Sequence, residues 1–189
     1  FKIGYTANQA LFIFGSTIHY LIENMPFEFL NDIDFISSQP PPRESFHQSY
    51  VQQQLFFTSV PLSPQRYIKL DYFCIPHSVN HFIAEDYKQR DFTVNCLYCD
   101  RNGRIFDPTN LGLSDLQHRI IRSVQTSSQS FAQDPIRLLR AIKLMLKGFR
   151  LLPEVESAML DWSPNSENMN FGHIYAIANQ MLTSVNGPM

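Results

Sequence analysis

The chain has 189 residues, 44% of them hydrophobic and 17% charged, with a formal net charge of −2, the profile of an ordinary globular chain of one or two domains rather than a fibrous or disordered one. No apolar run approaches the roughly 18 residues a membrane span needs, so no membrane partner is expected. Three cysteines (Cys74, Cys96, Cys99) make no disulfide framework, which favours a reducing, cytoplasmic setting. The opening Phe1-Lys2-Ile3 does not read as a signal peptide and suggests a trimmed N-terminus. In chain order, residues 11–14 read as a buried strand, 16–23 as the helix behind it, and 32–37 as a second strand. Residues 38–65, rich in Pro, Gln and Ser, read as a long loop with a short helix near 50–55. The alternation over 66–75 predicts a third strand. Residues 96–99 and 104–106 flank Asp100-Arg101-Asn102-Gly103, and Asn-Gly is a strong hairpin signal. The apolar spacing over 134–146 predicts a helix, with Pro135 in its first turn and Gly148 ending it. Two more helices are expected at 153–162 and 172–185.

The most informative chemistry lies in Leu30-Asn31-Asp32-Ile33-Asp34-Phe35-Ile36. Residues two apart on a strand share a face, so Asp32 and Asp34 point the same way while Ile33 and Phe35 turn into a core. Two carboxylates on one face resist joint ionisation unless a cation sits between them. Magnesium suits that place, because it takes a few carboxylates and keeps positions free for substrate phosphates. Gly15-Ser16, opening the first helix, offers backbone N–H groups to a phosphate. Together these features suggest metal-assisted phosphoryl or nucleotidyl transfer. Cys96 and Cys99 supply half of a zinc ligand set, with no second pair to complete it.

Three further segments carry a family resemblance. The stretch Gln89-Arg90-Asp91-Phe92-Thr93-Val94-Asn95-Cys96 resembles the Arg-Arg-Asp-Phe-Thr-x-Asn-Ala motif of bacterial poly(A) polymerases and tRNA CCA-adding enzymes, the class II members of the polymerase-β-like nucleotidyltransferase superfamily. Asp107-Pro108 and Leu113-x-Asp115-Leu116-x-x-Arg119-Ile120-Ile121-Arg122 look like the next segment of that family. Gln133-Asp134-Pro135-Ile136-Arg137 is similar to its Glu-Asp-x-x-Arg nucleotide-selecting helix. The resemblance covers about residues 11–150, and its motifs fall in the family's order.

The resemblance implies an α+β fold, with a small mixed-sheet nucleotidyltransferase head over 1–115 and an all-helical neck over 116–189. It implies a Mg2+-dependent, template-independent enzyme that adds AMP, and possibly CMP, to the 3′ end of a tRNA or mRNA, with ATP and CTP as substrates. Asp32 and Asp34 would hold the metal, and Asp71, sharing a strand face with Lys69 and Phe73, is the candidate third acid. Gly15, Ser16, His19, Arg90, Asp91, Asn95 and Arg140 would bind nucleotide. Asp134 and Arg137 would read the base. A carboxylate accepts from the exocyclic amine of adenine or cytosine, and a guanidinium donates to the ring nitrogen beside it. The chain departs from the pattern at His19, where the family has an arginine facing the triphosphate, at Tyr20, at Gln89 and at Gln133. Two other readings therefore stay open: a non-catalytic nucleotide- or RNA-binding relative, and a transferase with another acceptor. Residues 118–150 hold seven Lys/Arg against one acid, Asp134, which suits a polyanionic substrate. Nothing in the chain separates poly(A) addition from CCA addition or gives an oligomeric state.

Overall fold

The computed structural model describes residues 11–26, 30–41, 47–48, 55–75 and 78–162. The expected helix at 172–185, the loop at 163–166 and most of the short helix at 50–55 lie outside the described residues. The architecture is α+β. A seven-stranded mixed sheet runs in the order β3-β4-β5-β2-β1-β6-β7. Its strands are β1 (Leu11–Phe14), β2 (Asp32–Ser37), β3 (His47–Gln48), β4 (Leu55–Ser63), β5 (Arg66–Cys74), β6 (Tyr98–Asp100) and β7 (Ile105–Phe106). Every neighbouring pair is antiparallel except β2 and β5, which run parallel with Asp32 opposite Lys69 and Asp34 opposite Asp71. The helices are α1 (Ser16–Ile22), α2 (Val79–Asp86), α3 (Gly112–Gln117), α4 (Ser127–Gln133), α5 (Ile136–Leu146) and α6 (Pro153–Leu160).

The expected strands at 11–14, 32–37 and 66–75 are present as β1, β2 and β5, and the Asn-Gly hairpin joins β6 to β7. The long loop expected over 38–65 is corrected. Its second half is the nine-residue strand β4, paired with β5 from Leu55↔Phe73 to Ser63↔Arg66, and His47–Gln48 adds an edge strand. Leu55, Phe56, Phe57 and Val60 supply the β-favouring side chains, and Ser63, Pro64 and Gln65 turn the chain straight back into β5.

The pleat sorts the sheet into two faces. On one, Phe35, Leu70 and Tyr72 pack with Leu30 and Ile68, with Tyr20 of α1 against them. On the other, Phe12, Phe14, Ile36 and Tyr98 pack beneath Val79 and Ile83 of α2. Asp32 and Asp34 belong to this second face by alternation, short of the part that α2 covers. A third cluster joins Ile18 of α1 and Phe92, Val94 and Leu97 to Leu116, Ile121, Phe131, Ala141, Leu144 and Val155. The described core thus crosses position 115 without a break.

The region after 115 is not wholly helical. A short parallel pair, β8 (Ile120–Ile121) with β9 (Arg150–Leu151), ties the entry of this region to the end of α5. The pairing satisfies backbone groups through Arg150 N–H to Arg119 C=O at 2.8 Å and Leu152 N–H to Ile121 C=O at 3.2 Å. Helix α5 ends at Gly148, whose φ of 84° is a left-handed turn that glycine takes without a steric penalty. No described helix is long and apolar enough to cross a membrane.

Candidate active site

The site grows from the end of β1. Gly15 has φ 72° and ψ −147°, a conformation that favours glycine, and it opens α1. A Cβ built there would lie 3.6 Å from Asp34 Oδ2 and 3.9 Å from the Arg90 guanidinium. Gly15, Asp34 and Arg90 therefore meet at one spot. Sequence spacing joined the first two; the fold brings in Arg90.

Three carboxylates crowd this face. Burial pushes the Asp34 carboxyl up to about 7, and the Asp32 and Asp71 carboxylates push in the same direction; Arg90 and Lys69 oppose them. Lys69 Nζ donates to Asp71 Oδ2 at 2.7 Å. Asp71 Oδ1 is buried with no hydrogen-bond partner. Among the described residues no three His, Cys, Asp or Glu side chains stand as a ready ligand set. Asp32 and Asp34 offer two ligands, and Asp71, the candidate third, is engaged by Lys69. The Asp34 carboxyl, raised by burial and by its acidic neighbours, is nevertheless what a divalent cation held by Asp32 and Asp34 would relieve.

Arg90 is held rigidly. Its Nε donates to Asp86 Oδ2 at 2.6 Å and to the Tyr98 hydroxyl at 3.2 Å. The Tyr98 hydroxyl itself donates to Asp86 Oδ2 at 2.6 Å. The guanidinium lies 4.5 Å from the Phe14 ring centroid, an additional cation–π hold. The Asp86–Tyr98 support was not visible in the sequence, because neither residue falls in the quoted motif's charged positions.

Asp91 is 2% exposed and organises the adjoining turn. Its Oδ1 accepts from Phe92 N–H at 2.7 Å and from Asn95 Nδ2 at 3.0 Å. Its Oδ2 accepts from Arg140 at 3.2 Å. Burial alone would raise this carboxyl, but Arg140 and the two local donors hold it below the usual carboxylate range. Asp91, Asn95 and Arg140 thus form one unit linking the loop before β6 to α5. A second buried unit stands behind it: Asp115 accepts from Thr93 Oγ1 at 2.6 Å and from Arg122 Nε at 2.9 Å.

Two expectations change. His19, placed by sequence at the triphosphate, is 5% exposed. Its Nε2 donates to Val94 C=O at 2.7 Å and its ring packs on Phe149. Burial drives its imidazole down to about 4, so it is a neutral core residue; α1 turns position 19 inward, away from Gly15. Asp134 and Arg137 do not form an adjacent pair on one helix. Pro135 precedes the first residue of α5, and Asp134 stands outside it, accepting Ile136 N–H at 3.1 Å. Arg137, 8% exposed, donates to Ser130 Oγ at 2.8 Å and Gln89 C=O at 2.6 Å. Cys96 and Cys99 make no shared metal site among the described residues; both are buried, with Cys96 Sγ against Phe92 C=O and Cys99 Sγ against Asp100 C=O.

A mixed sheet whose central strand presents Asp-x-Asp beside a glycine-opened helix defines a nucleotidyltransferase head. Residues 43–122 match the family model described as the poly A polymerase head domain. Over 101 residues the chain is 36% identical to a CCA-adding enzyme of Streptococcus gordonii, a match covering 53% of this chain and 25% of that enzyme. The fold resembles that of a tRNA-processing enzyme solved with CTP, at a TM-score of 0.63 and 22% identity over 80% of this chain and 42% of the other. It also resembles a tRNA nucleotidyltransferase complexed with a primer tRNA and an incoming ATP analogue, at a TM-score of 0.62 and 22% identity over 80% and 46%. Over that stretch the chain resembles the class II polymerase-β-like nucleotidyltransferases, and it spans about a quarter of the length of the curated relative it matches.

Proposed function

We propose that this chain carries the catalytic head of a magnesium-dependent, template-independent RNA nucleotidyltransferase that adds CMP and AMP to a tRNA 3′ end. The observation that carries this reading is the meeting of Gly15 with Asp34 and Arg90 beside a strand face that Asp34 shares with Asp32, with the Asp34 carboxyl raised to about 7 by burial and its acidic neighbours. Asp32 and Asp34 would hold Mg2+. When bound, the metal would neutralise triphosphate charge and lower the pKa of the primer 3′-hydroxyl. Gly15, lacking a Cβ, leaves space for a phosphate beside Asp34, with the Ser16 N–H at the start of α1 nearby. Arg90, fixed by Asp86 and Tyr98, offers its guanidinium to the same spot. Asp91 would position nucleotide through Asn95 and Arg140. Asp134 and the remaining N–H groups of Arg137 would distinguish adenine and cytosine from guanine and uracil. The relatives' names favour CCA addition over poly(A) addition.

The direct test supplies the protein with Mg2+, labelled CTP or ATP, and a tRNA lacking its 3′ CCA. Label is expected in the tRNA, and more weakly in an oligoadenylate primer. No incorporation by folded protein into either acceptor would overturn the reading. One observation favours a second reading. Gln89 is neutral where the family carries an arginine, so a non-catalytic module would bind Mg·ATP and transfer nothing.

A further inference from the structure

Lys69 lies where the sheet brings the three carboxylates together. The parallel register sets it opposite Asp32 and sets Asp71 opposite Asp34. By strand alternation Lys69 and Asp71 share a face with the two acids of β2. Lys69 Nζ sits 2.7 Å from Asp71 Oδ2 and acts electrostatically on Asp34 as well. The lysine side chain is 54% exposed, whereas Asp71 is 15% exposed and its Oδ1 is buried and unpartnered. A buried carboxylate that already lacks one partner cannot readily lose its other, so Asp71 holds Lys69 in place.

We propose that Lys69 is a built-in counter-ion that occupies Asp71, so that the divalent cation is held by Asp32 and Asp34 alone and the third carboxylate is withheld from it. This rests on the metal-dependent reading above. Lys69 holds the Asp71 Oδ2 and the Oδ1 is buried, so neither oxygen is open to a divalent cation while the ammonium is in place. While Lys69 is in place the site takes its metal on two carboxylates instead of three. Lys69 is therefore a positioning residue that sets the affinity of the metal through Asp71.

Mn2+ binding, followed by the loss of the free-ion electron paramagnetic resonance signal, tests this without requiring turnover. Lys69→Gln is expected to tighten Mn2+ binding by about tenfold or more, because Asp71 becomes a ligand. Lys69→Gln combined with Asp71→Asn should return affinity to within about threefold of the wild type. Lys143→Gln, which removes a charge that acts on Asp32 from α5, controls for simple loss of positive field and should change affinity far less than Lys69→Gln. Thermal melts establish that each variant is folded. Unchanged or weaker binding in Lys69→Gln would overturn the proposal, as would equal tightening in Lys69→Gln and Lys143→Gln. Failure of the metal reading looks different: Asp32→Asn and Asp34→Asn would then leave Mn2+ binding as in the wild type.

Discussion

The Asp34 carboxyl, raised from 3.8 to about 7 by burial and then by Asp32 and Asp71, makes the metal-free protein pH-sensitive. The folded state holds a proton there that the unfolded chain has released. Its contribution to stability is present below about pH 4 and is lost as the pH rises through about 7. Asp34→Asn should therefore melt higher than the metal-free wild type at pH 8, by on the order of 1–4 kcal/mol, with the gap closing near pH 4; equal melting temperatures at pH 8 would refute this. The same substitution, like Asp32→Ala, should lower nucleotide transfer by about a hundredfold or more, and near-normal turnover in either variant would end the two-carboxylate reading. Gln89 is exposed, so Gln89→Arg can restore a cation without disturbing packing. A charged donor strengthens a hydrogen bond to phosphate by roughly 1–2 kcal/mol, and calorimetry should show Mg·ATP binding tightened about tenfold. The parallel change at His19 would fail, since an arginine there must enter the core between Val94 and Phe149. Sequence pattern alone could not separate these two positions. Both replace a charged residue, and only the fold reveals that the His19 side chain is buried and the Gln89 side chain exposed.

At the scale of elements, Asp-x-Asp on β2 was legible because strand alternation is a local rule, and α5 because its apolar spacing and Gly148 are local signals. Strand β4 was not legible. Its Ser59, Pro61 and Ser63 read as loop, and its stability comes from pairing with β5, which no window of sequence contains. The placement of Asp134 was missed for a related reason. Pro135 was read inside the first turn of α5, whereas the chain stays extended at Asp134, with φ −146° and ψ 97°, and the carboxylate serves the helix from outside. Asp134→Ala should cost about 0.5–2 kcal/mol by leaving Ile136 N–H without its acceptor. If Asp134 also reads the base, the variant should use UTP or GTP more readily relative to CTP and ATP. Denaturant midpoints and competition between the four nucleotides measure the two effects separately, and an unchanged nucleotide preference would leave Asp134 as a helix cap alone.

At the scale of the molecule, the sheet and the helical region are joined by charge as well as by packing. Arg140 of α5 reaches Asp91 before β6, and Arg137 of α5 reaches the backbone of Gln89. Arg140→Ala would leave the Asp91 carboxylate buried with only its local donors. A loss of about 1–3 kcal/mol is expected, reduced from the value for a fully buried pair because Arg140 is half exposed, and chemical denaturation checks it. An unchanged midpoint would show that Phe92 N–H and Asn95 suffice. The unbroken core across position 115 has a consequence for how the molecule comes apart. Ile18, Phe92, Val94 and Leu97 bury themselves against Leu116, Phe131, Ala141, Leu144 and Val155, so neither side can melt without stripping the other. Heating should give one calorimetric transition, with nucleotide-site and helix signals lost together, and a polypeptide cut at 115 should be sticky and protease-sensitive instead of behaving as a free-standing head.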